Sequence, residues 1–510
     1  MIGFLPGHVL FVFANRKADI YYVNSMLSIM KKRMLFVQLG LLGVSSFLLV
    51  NLTGCNNSRA SGINGGDDTG AFQTGVRDHY LNYCAGCHGE NLERFDKSDW
   101  MYGDNEEAAF KSIKFGRVDI GMPPFEATFT DEEIRELAKY VRSEVPREEK
   151  ALKPALTRDK LVYSRQQRFL IDTVVTGLNV PWGMEFLPNG DMLISERDGI
   201  LYRLTDDGLE VITGLPPIMA KGQGGLLDLR LHPRYEDNGW LYFSYSQPSR
   251  DNPRKGCTAV MRARLEGNML VDREVIFDGI PDSNRGQHWG CKLVFDKEGF
   301  LWFGIGDRGK RDENPQTLEN HSGKMHRIHD DGTIPEDNPF VNTPGAVPSI
   351  YSYGHRNPQG TTMHPVTGDI WESEHGPRGG DELNIIEPGA NYGWPVISYG
   401  INYSGTKFTD ITHKEGMEQP VIYWDPSIAP CGMTFVDSDR YPGWKNDILI
   451  GSLRFKYLER IELDGNEVVQ QEKLLEGIGR VRNVRVSPDG FIYVAMETPG
   501  FIVKLIPVNS

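Results

Sequence analysis

Six cysteines in 510 residues supply only one close pair, Cys84 and Cys87, followed at once by His88. No second pair exists to complete a zinc site. The pair also lacks the βαβ surroundings of a thioredoxin-like disulfide, because its flanks read as helix from Phe72 to Tyr83 and again from Thr130 to Ser143. Cationic residues are in deficit: 55 Lys and Arg against 69 Asp and Glu give a net charge of −14, which argues against nucleic acid or an anionic membrane surface as partner. Helical periodicity is nearly absent beyond Phe169. What remains there is a series of short β-branched and aromatic runs between Gly, Asp, Asn and Pro turns, the pattern of an all-β domain.

The pentapeptide Cys84-Ala85-Gly86-Cys87-His88 has the spacing of a covalent c-type haem attachment. Cys84 and Cys87 would bond the porphyrin, and His88 would be the proximal iron ligand. Met122, in Gly121-Met122-Pro123-Pro124, is the expected sixth ligand, since a thioether in a proline-stiffened loop is a suitable donor; Met101 is the weaker candidate. Thr130 and Glu133 form a capping box ahead of the apolar stripe Ile134, Leu137, Ala138 and Val141. This segment, residues 71–147, resembles the small all-α class I cytochromes c.

At 510 residues the chain exceeds one ordinary core, so a second domain must follow the cytochrome. Ahead of it, Lys31, Lys32 and Arg33 precede an apolar run from Met34 to Val50 that ends in Leu52-Thr53-Gly54-Cys55. Residues 1–55 thus look like an export signal with a lipobox that leaves Cys55 acylated. On that reading the start is Met30 or Met34, and residues 1–29 are a mis-assigned upstream start or an unusual extension. The competing reading is an uncleaved membrane anchor. Either way the bulk lies on the periplasmic side of a bacterial membrane; Asn56 does not resemble the aspartate of an inner-membrane retention signal, which favours the outer membrane. Residues 56–70 read as a flexible tether and 148–167 as a charged, proline-punctuated linker. Cys257, Cys291 and Cys431 allow at most one internal disulfide, with the pair left open.

Within residues 168–508 one unit recurs: an apolar residue, a turn with Pro or Asp and then Gly, and an apolar strand. Copies lie at Phe186 to Ile194, Leu231 to Phe243, Phe295 to Phe303, Met363 to Trp371, Phe435 to Ile450 and Val486 to Val494. Six such hairpins predict an all-β six-bladed β-propeller, because a small twisted sheet cannot bury both faces alone and must stack on its neighbours. A large β-sandwich, the alternative, would need no repeat.

Between those strands lie segments too polar and glycine-rich for strand interiors, above all Gly354-His355-Arg356-Asn357-Pro358-Gln359-Gly360 and Glu374-His375-Gly376-Pro377-Arg378-Gly379-Gly380-Asp381-Glu382. Together with Gln223-Gly224-Gly225, Gln287-His288-Trp289-Gly290, Asn391-Tyr392-Gly393-Trp394-Pro395 and Ser487-Pro488-Asp489-Gly490, they resemble the soluble glucose and aldose sugar dehydrogenases, six-bladed propellers that use pyrroloquinoline quinone (PQQ). The resemblance implies that His288 is the general base and that Arg356, with Asn357 beside it, polarises the quinone oxygen. It further implies that Gln223 contacts the cofactor and that Arg454, Arg480 and Arg482 clamp its carboxylates. Ser427 matches a threonine-bearing cofactor loop, and the backbone oxygens of Gly376 and Pro377 match calcium ligands. His375 stands where the glucose enzymes carry glutamine. Gln287 replaces an aspartate before the base, which implies weaker electrostatic support for His288.

The expected activity is oxidation of aldoses at C1 to lactones, with electrons passing from PQQ to the haem and on to a respiratory acceptor. The alternatives are a PQQ dehydrogenase for another carbonyl or alcohol, such as a keto-sugar or aldehyde, and a non-catalytic binding propeller fused to a cytochrome.

Overall fold

In a computed structural model the described residues are 69–88, 92, 105–117, 122–144 and 161–508. The expected export signal, Cys55, the tether and Met101 lie outside them. No helix among the described residues is long and apolar enough to cross a membrane.

Four helices make up the first region: α1 (Thr69–Tyr83), the single turn α2 (Ala85–His88), α3 (Glu106–Phe115) and α4 (Asp131–Glu144). The capping box forms as its sequence requires: the Thr130 N–H donates to Glu133 Oε2 at 2.8 Å, and the Glu133 N–H donates to Thr130 Oγ1 at 3.3 Å. Ile134, Leu137, Ala138 and Val141 are all buried against Tyr80, Phe110, Phe125 and Phe129. The helix α3 carried no expectation; Asn105 caps it by accepting the Ala108 N–H.

Beyond Leu161 the chain folds into six antiparallel sheets. The first four-stranded blade comprises Pro181–Phe186, Met192–Glu196, Ile200–Thr205 and Gly208–Ile212. The innermost strands of the other five are Leu226–Leu231, Leu293–Phe295, Pro358–Met363, Pro430–Phe435 and Val481–Val486. Each innermost strand packs beside that of the next blade, and the sixth returns to the first, so the ring is closed. Large apolar side chains fill the space between blades: Trp182, Trp289 and Phe303 share one cluster, and Phe169, Tyr441 and Trp444 another. Burial of each such side chain contributes roughly 1.5–3 kcal/mol.

The last blade joins both ends of the domain. Strand Arg168–Thr176 pairs antiparallel with Phe501–Pro507, from Phe169 opposite Pro507 to Thr176 opposite Phe501, with a bulge between Thr173 and Val175. Leu161–Tyr163 adds a fifth strand to this blade, so these residues belong to the sheet and not to the expected linker. Phe169 and Ile171 pack from this sheet against Tyr441, Trp444 and Leu449 of the preceding blade.

Each of the six repeats identified in the sequence is the hairpin from an innermost strand to the second strand of its blade. Antiparallel alternation then sorts the loops by rim. The repeated hairpin turns fall on one rim; the loops entering the innermost strands, and those joining second to third strands, fall on the other. Pro358, Gln359 and Gly360, expected in a loop, instead begin an innermost strand, and Asp381 and Glu382 begin another strand of the same blade. Polar residues are tolerated there because the channel wall offers them partners: the Gln359 amide donates to Gly290 O and Asn357 Oδ1.

Candidate active site

Gln223, His288, Arg356, Asn357, His375, Gly376, Pro377, Ser427, Arg454, Arg480 and Arg482 all fall on one rim or just inside it. The Ser487-Pro488-Asp489-Gly490 motif sits in a hairpin turn on the opposite rim, where a 740 Å³ hollow is lined by Glu185, Asp437 and Asp489 and by none of the expected site residues. That motif therefore serves the blade and not the site.

His288 has a backbone φ of +56°, in the left-handed region, and its N–H donates to Gln223 Oε1 at 2.8 Å. Its Nδ1 lies 2.6 Å from Asp307 Oδ1. Burial lowers the pKa of His288 below that of ordinary histidine, although Asp307 opposes the shift. The ring is therefore neutral near pH 7. The short contact with an ionised carboxylate assigns the proton to Nδ1 and leaves the lone pair on Nε2. Asp307 itself stays ionised: burial works against its charge, but His288 and Arg356 outweigh it. Its other donors are Trp394 Nε1 at 2.9 Å and the Gly309 N–H at 2.7 Å. With Gln287 beside the base, the carboxylate that orients His288 is Asp307, from the loop after Leu301–Ile305, and burial still disfavours the protonated ring.

Arg356 faces this pair. Its Nη1 donates to His375 O at 2.7 Å, and its guanidinium lies over Trp394 at 5.3 Å. Glu374 holds the turn from below by accepting the N–H groups of Arg356 at 2.5 Å and Asn357 at 3.2 Å. His375 Nε2 lies 2.8 Å from Pro430 O and so carries a proton. Burial, reinforced by Arg356 and Arg482, pushes the His375 pKa down to about 3. It is a neutral donor to backbone, not a cation.

On the far wall Arg480 and Arg482 grip one carboxylate. Arg480 Nε reaches Glu497 Oε1 at 2.6 Å, and Arg482 Nη2 reaches Glu497 Oε2 at the same distance. Arg482 Nη1 also contacts Gln359 Oε1 at 3.2 Å and Cys431 Sγ at 3.0 Å. Burial opposes the charge of Arg482, but Cys431 and Glu497 push its pKa up. Two guanidiniums sharing one carboxylate leave a net positive charge. Arg454 adds another; its Nη1 donates to Ser427 O at 3.2 Å. The Ser427 hydroxyl is engaged by Asp381, 2.8 Å from each oxygen, and Asp381 also accepts the N–H groups of Gly376 and Ala429. Burial raises the Asp381 pKa to about 6. Asp381 thereby ties the Gly376–Pro377 backbone to the Ser427 loop.

This donor set fits a polyanionic quinone: excess guanidinium on one side, a neutral imidazole on the other, and a backbone turn between them. At Gly376 a Cβ would come within 2.3 Å of two carbonyl oxygens, so only glycine admits the packed turn whose oxygens are the expected calcium ligands. Among the described residues, the side chains grouped tightly enough to hold a metal ion are His355, Glu372 and Glu374, on a buried face of the same blade, and not the Gly376–Pro377 turn.

Profiles of known families accord with this geometry. That for glucose/sorbosone dehydrogenases matches residues 178–504, and that for cytochrome c oxidase, cbb3-type, subunit III matches residues 72–141. The chain belongs to the glucose/sorbosone dehydrogenase family. The aldose sugar dehydrogenase YliI of Escherichia coli is 39% identical over 70% of this chain and 98% of its own. A crystal structure of glucose dehydrogenase superposes with a TM-score of 0.63 at 41% identity, covering 67% of this chain and 99% of its own. The PQQ-bound aldose sugar dehydrogenase of Streptomyces coelicolor gives 0.55 at 28% identity, covering 67% and 98%. This member of the family is an enzyme with a cytochrome c domain joined to the propeller.

In the cytochrome region Cys84 directly follows α1, and the His88 N–H donates to Cys84 O at 3.0 Å. Cys84 and Met122 both border the apolar cluster of Tyr80, Ala85, Leu92 and Phe125. The turn at Cys84 and the Met122 loop thus border one apolar core. The Cys87 side chain lies outside the described residues. Cys257, Cys291 and Cys431 are buried and unbridged.

Asp307 and Glu497 were not singled out in the sequence, and Asp381 stood in a quoted motif without a role; these carboxylates orient His288, the Ser427 loop and the Arg480–Arg482 pair. Asp307-Arg308-Gly309 after an apolar strand was a weak turn signal for the first. Asp381 was marked only by its place in the polar, glycine-rich motif, and Glu497 carried no signal beyond being acidic.

Proposed function

We propose that this enzyme oxidises aldose sugars at the anomeric carbon to lactones with PQQ, and that the electrons leave through its own haem to a one-electron acceptor. The observation that carries the reading is the neutral His288, held at Nδ1 by Asp307 and facing Arg356. With Nε2 free to accept, His288 removes the proton of the C1 hydroxyl, because an imidazole of low pKa is unprotonated at the working pH. Bound PQQ supplies the two-electron acceptor for the hydride of C1. Arg356 is the cation whose charge acts most on His288, and there it would stabilise charge developing on an acceptor oxygen. Arg454 and the Arg480–Arg482–Glu497 group would hold the anionic cofactor, and the Gly376 and Pro377 backbone oxygens would hold a calcium ion. Cys84 and Cys87 would carry the haem covalently, between His88 and Met122.

The same reading makes the protein exported and lipid-anchored at Cys55 on the periplasmic side of a membrane, favouring the outer one; the mass of its N-terminal peptide tests this. For the chemistry, apo-protein is loaded with PQQ and calcium and aldoses are added under anaerobic conditions while the haem band is followed. Sugar-dependent reduction of the haem and lactone in the product support the reading. A loaded protein whose haem stays oxidised with every aldose overturns it.

A further inference from the structure

Arg378 takes no part in the hydrogen-bond circuit of the site, yet it stands two residues beyond Gly376, and its guanidinium lies over the Tyr83 ring at 4.4 Å. Tyr83 ends α1 and immediately precedes Cys84. A methyl group placed on Gly405 would lie 3.9 Å from the Tyr83 hydroxyl and 3.4 Å from Arg378 Nη1, so three residues from the two regions meet at one point.

Both sides of this contact are held in place. On the propeller, the N–H of Arg378 donates to Ile401 O at 3.0 Å and that of Ile401 to Arg378 O at 3.1 Å, which bridges the Gly376–Gly380 turn to the loop carrying Gly405. That loop also reaches the catalytic side, where Arg311 Nη1 donates to Asn402 Oδ1 at 3.0 Å, and Phe408 packs on Trp394 at 5.2 Å. In the cytochrome, Tyr83 packs edge-on against Phe129 at 4.9 Å. From Arg378 the backbone runs through Pro377 and Gly376 to His375, whose carbonyl accepts from Arg356.

We infer that Tyr83, Arg378 and the Gly405 turn form the docking contact through which the cytochrome receives electrons from the propeller. The inference rests on the proposed flow from sugar to haem. A small polar contact suits it, since redox partners meet through small interfaces and the covalent tether supplies the local concentration. Sugar oxidation releases two electrons and two protons. The protons go to solvent, and each electron reduces ferric haem to ferrous; an external one-electron acceptor such as ferricyanide reoxidises the haem between the two transfers.

The test compares two rates in the full-length, haem-bearing, quinone-loaded enzyme: sugar-driven haem reduction by stopped flow, and sugar oxidation coupled directly to a phenazine dye. Arg378→Glu should slow haem reduction by about tenfold or more while dye-coupled turnover stays within about twofold, since only the docking contact is lost. Tyr83→Phe keeps the ring and should behave as wild type; Tyr83→Leu should resemble Arg378→Glu. Unchanged haem reduction in Arg378→Glu overturns the inference. A readout without turnover separates this outcome from failure of the functional reading: in quinone-free protein, Arg378→Glu should speed hydrogen exchange in peptides covering 76–84 and 401–406 and leave the remaining blades unaltered. If wild type turns over no sugar even with the dye, the functional reading fails, and the exchange data alone decide the contact; unaltered exchange overturns it.

Discussion

The two walls of the site are similarly buried and electrically opposite. The His288 side chain is 12% exposed and Arg482 11%, yet burial drives the first to neutrality and leaves the second charged. The difference lies in what each group can do when water is removed. Imidazole has an accessible neutral form, so desolvation lowers its pKa and Asp307 is left to orient the ring. Guanidinium has no neutral form within reach, so the fold must bring a carboxylate to it, and Glu497 serves two arginines at once. Catalysis needs both outcomes: a base that is unprotonated, and cations that persist to hold an anion.

Removing the carboxylate on each side probes this asymmetry. Glu497→Gln should have the largest effect, a loss of about 3–5 kcal/mol of unfolding free energy by denaturant titration, because two buried guanidiniums then lose the carboxylate they share. Stability close to wild type would mean that the clamp does not need its carboxylate. Asp307→Asn should leave stability less affected and reduce kcat by roughly 10²- to 10³-fold, since the amide can donate to Nδ1 and force the proton onto Nε2. Its acid limb in kcat/KM should also move to lower pH, because Asp307 is the group that opposes the fall in the His288 pKa. Retained kcat would sink the assignment of Nε2 as the base.

His375 tests burial of an imidazole without a carboxylate. Unfolded histidine binds a proton below about pH 6.5, whereas folded His375 does so only near 3, so between those values the unfolded state holds more protons and stability falls as pH falls. From pH 7 to pH 5 this contributes about 2 kcal/mol of destabilisation. The His375→Gln variant should lose correspondingly less stability over that interval; equal acid sensitivity would show that His375 is not the buried neutral group described. The smallest effect belongs to Trp394→Phe. It removes one donor to Asp307 and should lower kcat/KM by about fivefold, near 1 kcal/mol, with little change in the fold.

Legibility differed by range of interaction. The capping box of Thr130 and Glu133 and the apolar stripe after it were readable because every partner lies within a few residues. The six hairpins were readable because one turn chemistry repeats. Pairing of Phe169 with Pro507 was not, since nothing local marks two strands hundreds of residues apart as neighbours. In the site the functional types stood out as His288, Arg356 and the late arginines, whereas Asp307 looked like any other turn aspartate and Glu497 like any strand-end acid. Asp307 shows the limit: nineteen residues from the base in sequence, it lies next to it in space.

By itself the sequence determined the haem-attachment spacing, the repeat that makes blades and the residue types able to hold a proton or an anion. These are set by local spacing and side-chain chemistry. Which carboxylate supports which cation, whether an imidazole is charged and where the cytochrome touches the propeller were decided by tertiary structure alone. Each depends on desolvation and on partners from distant strands, which exist only once the ring has closed.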